Sequence, residues 1–230
     1  MKNRLLCVFV ICLLGAVAVQ AAPILAPPVA QCSTFAVNSN NPDDLAIQFN
    51  MFSTAGFACE QQDKIYSNFN LGALPTSATL RIQVQPLVGV DFHTLTVNGN
   101  FGADFTLSYD IAIDLTLSPF ALITRVTGDL SNPSNQGSPS NLKTVFSEGG
   151  VMIGSLTSLP SSPGTAIVTD NTALHVTDVY SVNGGAAVSI SNTFREDLSA
   201  TVPETYSYAL VGCGLLVLAS FRRIRRAVKK

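Results

Sequence analysis

The sequence predicts an all-β domain, an antiparallel β-sandwich or jelly-roll-like fold, followed by a single C-terminal transmembrane helix. Three observations carry that expectation. Apolar and polar residues alternate at period two through the middle of the chain. Gly, Pro, Ser and Asn punctuate the alternating runs. No segment there shows a capped 3.6-residue period. Period two places one face of a strand in a core and the other in water, as antiparallel sheets require.

The clearest run is 105–117, where Phe105, Leu107, Tyr109, Ile111, Ile113, Leu115 and Leu117 fill the odd places. Thr106, Ser108, Asp110, Asp114 and Thr116 stand between them, with Ala112 the small exception. Residues 79–85 repeat the pattern with Leu80, Ile82 and Val84 inward, and Pro86 is expected to end that strand. Further strands are expected at 64–69, 121–127, 144–153 and 165–169. Two hairpins follow from turn chemistry, since Asn-Gly supplies the positive φ that tight turns need. Asn98-Gly99 would join 91–97 to a strand beginning near Phe101, and Asn183-Gly184 would join 174–182 to 186–194. Segments 131–141 and 155–164, rich in Ser, Pro, Asn and Gly, read as surface loops or as the rim of a binding face.

Charge is segregated along the chain. Of 13 Lys and Arg, eight lie at the extreme ends, whereas 14 of the 15 Asp and Glu precede Thr201. The segment 22–201 therefore carries −9, with Lys64, Arg81, Arg125, Lys143 and Arg195 its only cations. Such a surface disfavours nucleic acid and other polyanions.

The ends read as targeting devices. Lys2 and Arg4 precede an apolar run from Leu5 to Val19, and Val19 and Ala21 occupy the −3 and −1 positions of a cleavage site. That layout predicts a signal peptide over 1–21, a buried helix or uncleaved anchor being the alternatives. The exported domain is then 22–201. In the tail, 202–230, Val202-Pro203-Glu204-Thr205 precedes an apolar helix over 206–221 and a basic cluster over 222–230. The 14 residues from Tyr208 to Phe221 cover only ~21 Å of a ~30 Å hydrocarbon core, so Tyr206 and Tyr208 serve as interfacial anchors. Arg222, Arg223, Arg225 and Arg226 act as a cytoplasmic stop under the positive-inside rule.

This tail resembles the PEP-CTERM sorting signal of exported proteins in exopolysaccharide-producing Gram-negative bacteria. The likeness covers about the last 29 residues: the Pro-Glu motif, the apolar helix with Gly212 and Gly214, and the arginines. Thr205 stands where the second proline of Val-Pro-Glu-Pro is usual. The resemblance implies that an exosortase, a membrane cysteine protease, recognises Val202, Pro203 and Glu204 and removes the tail. It also implies export through the Sec machinery, a transient inner-membrane anchor with a cytoplasmic C-terminus, and final residence at the cell surface or outside the cell. A single-pass anchor that is never cut is the other reading. The stretch from Cys59 through Asp63, Lys64 and Phe69 looks like a cysteine, Asp-Lys, aromatic pattern recurrent near the start of β-rich PEP-CTERM domains; it implies no activity.

Cys32 and Cys59 are the only cysteines of the exported domain and predict a disulfide in an oxidising compartment, two free buried thiols being the alternative. No catalytic motif is present, and neither His93 nor His175 belongs to a spaced metal-ligand pattern, so both are expected to be satisfied or solvent-facing. Asp110 and Asp114 would share a hydrated strand face ~13–14 Å apart, too far for a glycosidase pair within one strand. Asp43, Asp44, Asp170 and Asp178 are candidates for a loop-built calcium site. Asp104 and Gly102, near a predicted hairpin, would suit a carbohydrate-binding module. Such modules present aromatic platforms, however, and Tyr66, Tyr109 and Tyr180 sit in strand pattern, where core packing is the simpler explanation. The expectation is a non-enzymatic cell-surface or extracellular-matrix protein, without metal or cofactor and with exopolysaccharide as a candidate partner. A carbohydrate- or calcium-binding exported module is the alternative, and a secreted hydrolase ranks third.

Overall fold

A computed structural model describes residues 29–198 apart from 39 and 133–136. The predicted signal peptide, sorting motif, transmembrane helix and arginine stop lie outside the described residues. Among the described residues no helix is long and apolar enough to cross a membrane.

Among the described residues, twelve strands form two six-stranded antiparallel sheets, as expected for a sandwich. In chain order they are β1 (Asp44–Gln48), β2 (Cys59–Gln61), β3 (Lys64–Asn70), β4 (Thr79–Leu87), β5 (Val90–Phe101), β6 (Phe105–Ile113), β7 (Ala121–Ser131), β8 (Ser140–Ser147), β9 (Met152–Ser158), β10 (Gly164–Asn171), β11 (Ala173–Ser181) and β12 (Ala187–Leu198). Sheet I runs β1-β4-β5-β12-β7-β10, and sheet II runs β2-β3-β6-β11-β8-β9. The described helical segments are single turns, Cys32–Thr34 and Phe49–Phe52.

The period-two residues meet between the sheets. Leu80, Ile82, Leu95, Val97, Ile123, Val126, Ile190 and Phe194 come from sheet I; Leu107, Tyr109, Ile111, Leu174, Val176 and Tyr180 come from sheet II. Tyr66, Tyr109 and Tyr180 are fully buried, as core packing predicts. The Tyr180 hydroxyl donates to the Phe101 carbonyl at 2.9 Å and accepts from the Ala187 N–H at 3.0 Å, pinning the ends of three strands. The Cys32–Cys59 disulfide is formed.

Several local expectations fail for identifiable reasons. Asn98-Gly99 is not a hairpin turn. It lies inside β5, where the register against β12 slips between Ala187 and Ser189, a bulge one residue long. Asn183 and Gly184 do form a tight turn with φ of 44° and 77°, but the strands that it joins belong to different sheets. Turn chemistry sets the direction of the chain there and not the pairing. β6 stops at Ile113, because the Asp114 carboxylate accepts the Thr116 N–H at 2.8 Å and turns the chain; Leu115 and Leu117 are exposed. β4 continues through Pro86, which lies beyond the end of β1, where no ladder needs its missing N–H. Residues 144–153 divide into β8 and β9, and 155–158 is strand rather than loop, with Leu156 and Ser158 buried.

Candidate functional site: an outer groove and two buried lysines

On sheet II, the residues between the core positions of β6, β8 and β11 face outward. Strand register then lines up Ser67, Asp110, His175, Phe146 and Met152 in one row across five strands. Ser67, Asp110, His175 and Phe146 of this row line an open groove of about 680 Å³, together with Thr177 and Glu148. Asp110 organises its centre: Asn68 Nδ2 donates to one carboxylate oxygen at 2.6 Å, and His175 Nδ1 lies 2.6 Å from the other. The His175 ring stands 6.0 Å from that of Phe146 at a 50° tilt. His175 is thus partly exposed with a polar partner, as expected, and Asp110 is on the outer face. Asp114 is not on that face, because it belongs to the turn after β6.

Thr177 Oγ1 lies 3.5 Å from His175 Nε2, so the order carboxylate, imidazole, hydroxyl resembles a hydrolytic triad. The setting works against that chemistry. β11 is paired along its length to β6 on one side and β8 on the other. Its backbone N–H groups are therefore engaged in the sheet plane, and none is free to hold an oxyanion above the face.

The other polar constellations are inside the sandwich. Lys64 on β3 is fully buried between Asp63, whose Oδ1 accepts from its ammonium at 2.7 Å, and Glu196 on β12, whose Oε2 it also contacts. His93 on β5 completes the group, its Nε2 3.5 Å from Asp63 and 3.9 Å from Glu196. Neither His93 nitrogen has a hydrogen-bond partner among the described residues, contrary to the expectation of a satisfied or solvent-facing ring. Burial, with help from the Lys64 charge, pushes His93 down to about 3, so the ring is neutral. Burial pushes the Glu196 carboxyl up to about 7 despite Lys64. Burial acts most strongly on Asp63 and would raise it, but hydrogen bonds from Lys64 and Ser118 together with the charge of Lys64 hold the carboxyl below its ordinary value. Ligand atoms of Asp63, His93 and Glu196 lie within 4.8 Å of one another, a spacing that a metal ion could bridge. The Lys64 ammonium already supplies the cation against both carboxylates.

The second group centres on Lys143 of β8 and Asp178 of β11, which face each other in register and are both fully buried. Asp178 Oδ1 accepts from Lys143 and, at 2.6 Å, from Asn141; Oδ2 accepts from Asn192 at 2.8 Å. Asn192 also donates to the Tyr109 hydroxyl at 2.8 Å. Desolvation lowers the Lys143 ammonium from its ordinary value, and the Asp178 charge opposes the shift. The calcium cluster does not assemble from the described aspartates: Asp178 is bound to Lys143, Asp44 to Arg81 at 2.6 and 2.5 Å, and the Asp170 side chain is not among those described.

Both groups escaped notice in the sequence, yet each leaves a trace. Lys64 has the parity of Tyr66, His93 that of Leu95, Lys143 that of Val145, Asp178 that of Val176, and Glu196 that of Phe194. A charged residue on the inward parity of an otherwise apolar strand is the signal.

No family model and no curated protein sequence matches the chain. Among solved structures it is similar to an arabinose-bound α-L-arabinofuranosidase (9% identity, 56% of this chain and 23% of that one, TM-score 0.29). It is also similar to a carbohydrate-binding module described as recognising mannan (13% identity, 66% and 95%, TM-score 0.34). A third is the C-terminal family 22 carbohydrate-binding module of a Clostridium thermocellum protein (9% identity, 58% and 88%, TM-score 0.27). The chain thus spans under a quarter of the arabinofuranosidase. Overlaps this loose carry no information on ligand or activity.

Proposed function

We propose that this chain is an exported, non-enzymatic β-sandwich that binds a neutral, hydroxyl-rich glycan in the outer groove of sheet II. On this reading it reaches the cell surface through its C-terminal sorting segment, with an exosortase as processing partner. The observation that carries the binding proposal is the cross-strand row. Asp110, His175, Asn68 and Thr177 offer fixed hydrogen-bonding groups beside the Phe146 ring, a combination suited to sugar hydroxyls and an apolar sugar face. The groove's carboxylates, Asp110 and Glu148, disfavour an anionic polymer, and the surrounding segment is acidic as well. The ordered sheet behind the row keeps it rigid, so little entropy is lost on binding.

The test is binding of the exported protein to a panel of neutral and acidic polysaccharides, with Phe146→Ala and Asp110→Ala beside wild type. A neutral glycan should bind, and each variant should weaken it at least about tenfold, the loss of one good contact. Equal binding by all three proteins, or binding confined to acidic glycans, would overturn the proposal.

A further inference from the structure

The two buried lysines differ in what surrounds their carboxylate partners. Asp178 has donors on both oxygens: Lys143 and Asn141 on one, Asn192 on the other. Glu196 contacts Lys64 through Oε2 alone, and its Oε1 has no partner among the described residues. A second carboxylate, Asp63, holds the same Lys64 Nζ at 2.7 Å. The Tyr66 hydroxyl is buried in this cluster without a hydrogen-bond partner among the described residues, and the charges of Asp63 and Glu196 both bear on it. An amine, an under-engaged carboxyl and a proton carrier therefore share one buried cluster.

We propose that Lys64 and Glu196 condense into an intramolecular amide, joining Nζ to Cδ, with Asp63 carrying the proton. A proton first passes from the Lys64 ammonium to the Glu196 carboxylate that it contacts, which gives a neutral amine and a carboxylic acid. The Nζ lone pair then attacks Cδ of that acid, and the new N–C bond forms as the C=O π pair moves to oxygen. Asp63 takes a proton from Nζ and delivers it to the Glu196 hydroxyl. The C–OH bond breaks, its electron pair leaves with the hydroxyl as water, and the carbonyl re-forms. One amine and one carboxylic acid thus give one secondary amide and one water. Nothing is oxidised or reduced, and no co-reactant is needed.

In water this condensation is opposed because both groups ionise and water is in excess. In the sandwich interior, separated ions are costly, and Lys64 Nζ is held against the Glu196 carboxylate through Oε2. Burial keeps Glu196 up at about 7, so the acid form is populated near neutrality. His93, neutral beside Asp63, adds no competing positive charge. The bond would tie β3 of sheet II to β12 of sheet I across 132 positions of sequence, clamping an early strand of the sandwich to its last. It rests on the interior of the sandwich and is independent of the glycan reading.

The test is the intact mass of the full exported chain after reduction of its disulfide, with termini assigned from the same digest. Wild type should be one water lighter than its sequence, and the digest should contain a branched peptide linking Lys64 to Glu196. Glu196→Ala and Lys64→Arg should restore the full sequence mass. Asp63→Asn, which keeps the side-chain shape, should restore it wholly or leave a mixture. A folded, disulfide-bonded wild type at full sequence mass overturns the proposal. So does a water loss that maps to Lys143 and Asp178, or a divalent cation retained at Asp63, His93 and Glu196 in a chain of full mass.

Discussion

Replacing Lys143 with methionine tests whether the second buried lysine holds the fold together. Methionine matches the lysine stem in volume and flexibility, so packing changes little. What changes is charge: Asp178, fully buried, loses the cation that faces it across the β8–β11 ladder. Removing one partner of a buried ion pair typically costs ~3–5 kcal/mol, mainly because the remaining charge is left uncompensated. Here the amides of Asn141 and Asn192 still donate to both Asp178 oxygens, which places the loss near the low end, at about 3 kcal/mol. For a domain of this size each kcal/mol moves the melting point by about 2–4 °C, so Tm should fall by about 6–12 °C. Urea unfolding measures the free-energy loss and a thermal melt measures Tm, both followed by circular dichroism. Adding Asp178→Asn to the variant removes the stranded charge and should recover at least half of the loss. A single-variant loss below about 1 kcal/mol would refute the reasoning, since it would put the pair on the scale of an exposed salt bridge.

Four further outcomes are expected. His93 is held neutral down to about 3 in the fold but protonates near 6.5 when unfolded, so its contribution is complete above about pH 6.5 and is lost as pH falls towards 3. His93→Leu should therefore reduce the stability difference between pH 7 and pH 4, by at most about 1.4 kcal/mol per pH unit, and identical pH profiles would contradict this. The Cys32–Cys59 bond closes a loop with a sequence separation of 27, so replacing both cysteines with serine should lower stability by ~3–4 kcal/mol in denaturant titrations; no change would show that the loop is ordered by its other contacts. Glu204→Ala should leave the protein in the membrane fraction with its C-terminus intact, whereas wild type should end near 202–204; a wild-type chain that still ends at Lys230 in cells with an exosortase would mark the tail as a passive anchor. Loss of glycan binding in Phe146→Ala, measured by titration calorimetry, should leave Tm within a few degrees of wild type, because this partly exposed side chain lies on the outer face.

The all-β class was legible because burial on one face forces period two on the residues themselves. Leu80, Ile82 and Val84, or Phe105 to Ile113, declare their inward face without any knowledge of what covers it. The disulfide was legible for a similarly local reason: Cys32 and Cys59 had no other partner in the segment. Pairing was not, because alternation says nothing about which sheet a strand joins. Asn183-Gly184 has the same turn chemistry whether the next strand folds back beside β11 or crosses to β5 and β7, and the apolar faces of both sheets decided for crossing. Both polar constellations depend on that decision. Asp110, His175 and Phe146 become neighbours only when β6, β11 and β8 lie side by side. Lys64 meets Glu196 only because β3 and β12 face each other across the core, bringing together side chains 132 positions apart, and burial there strengthens the contact electrostatically.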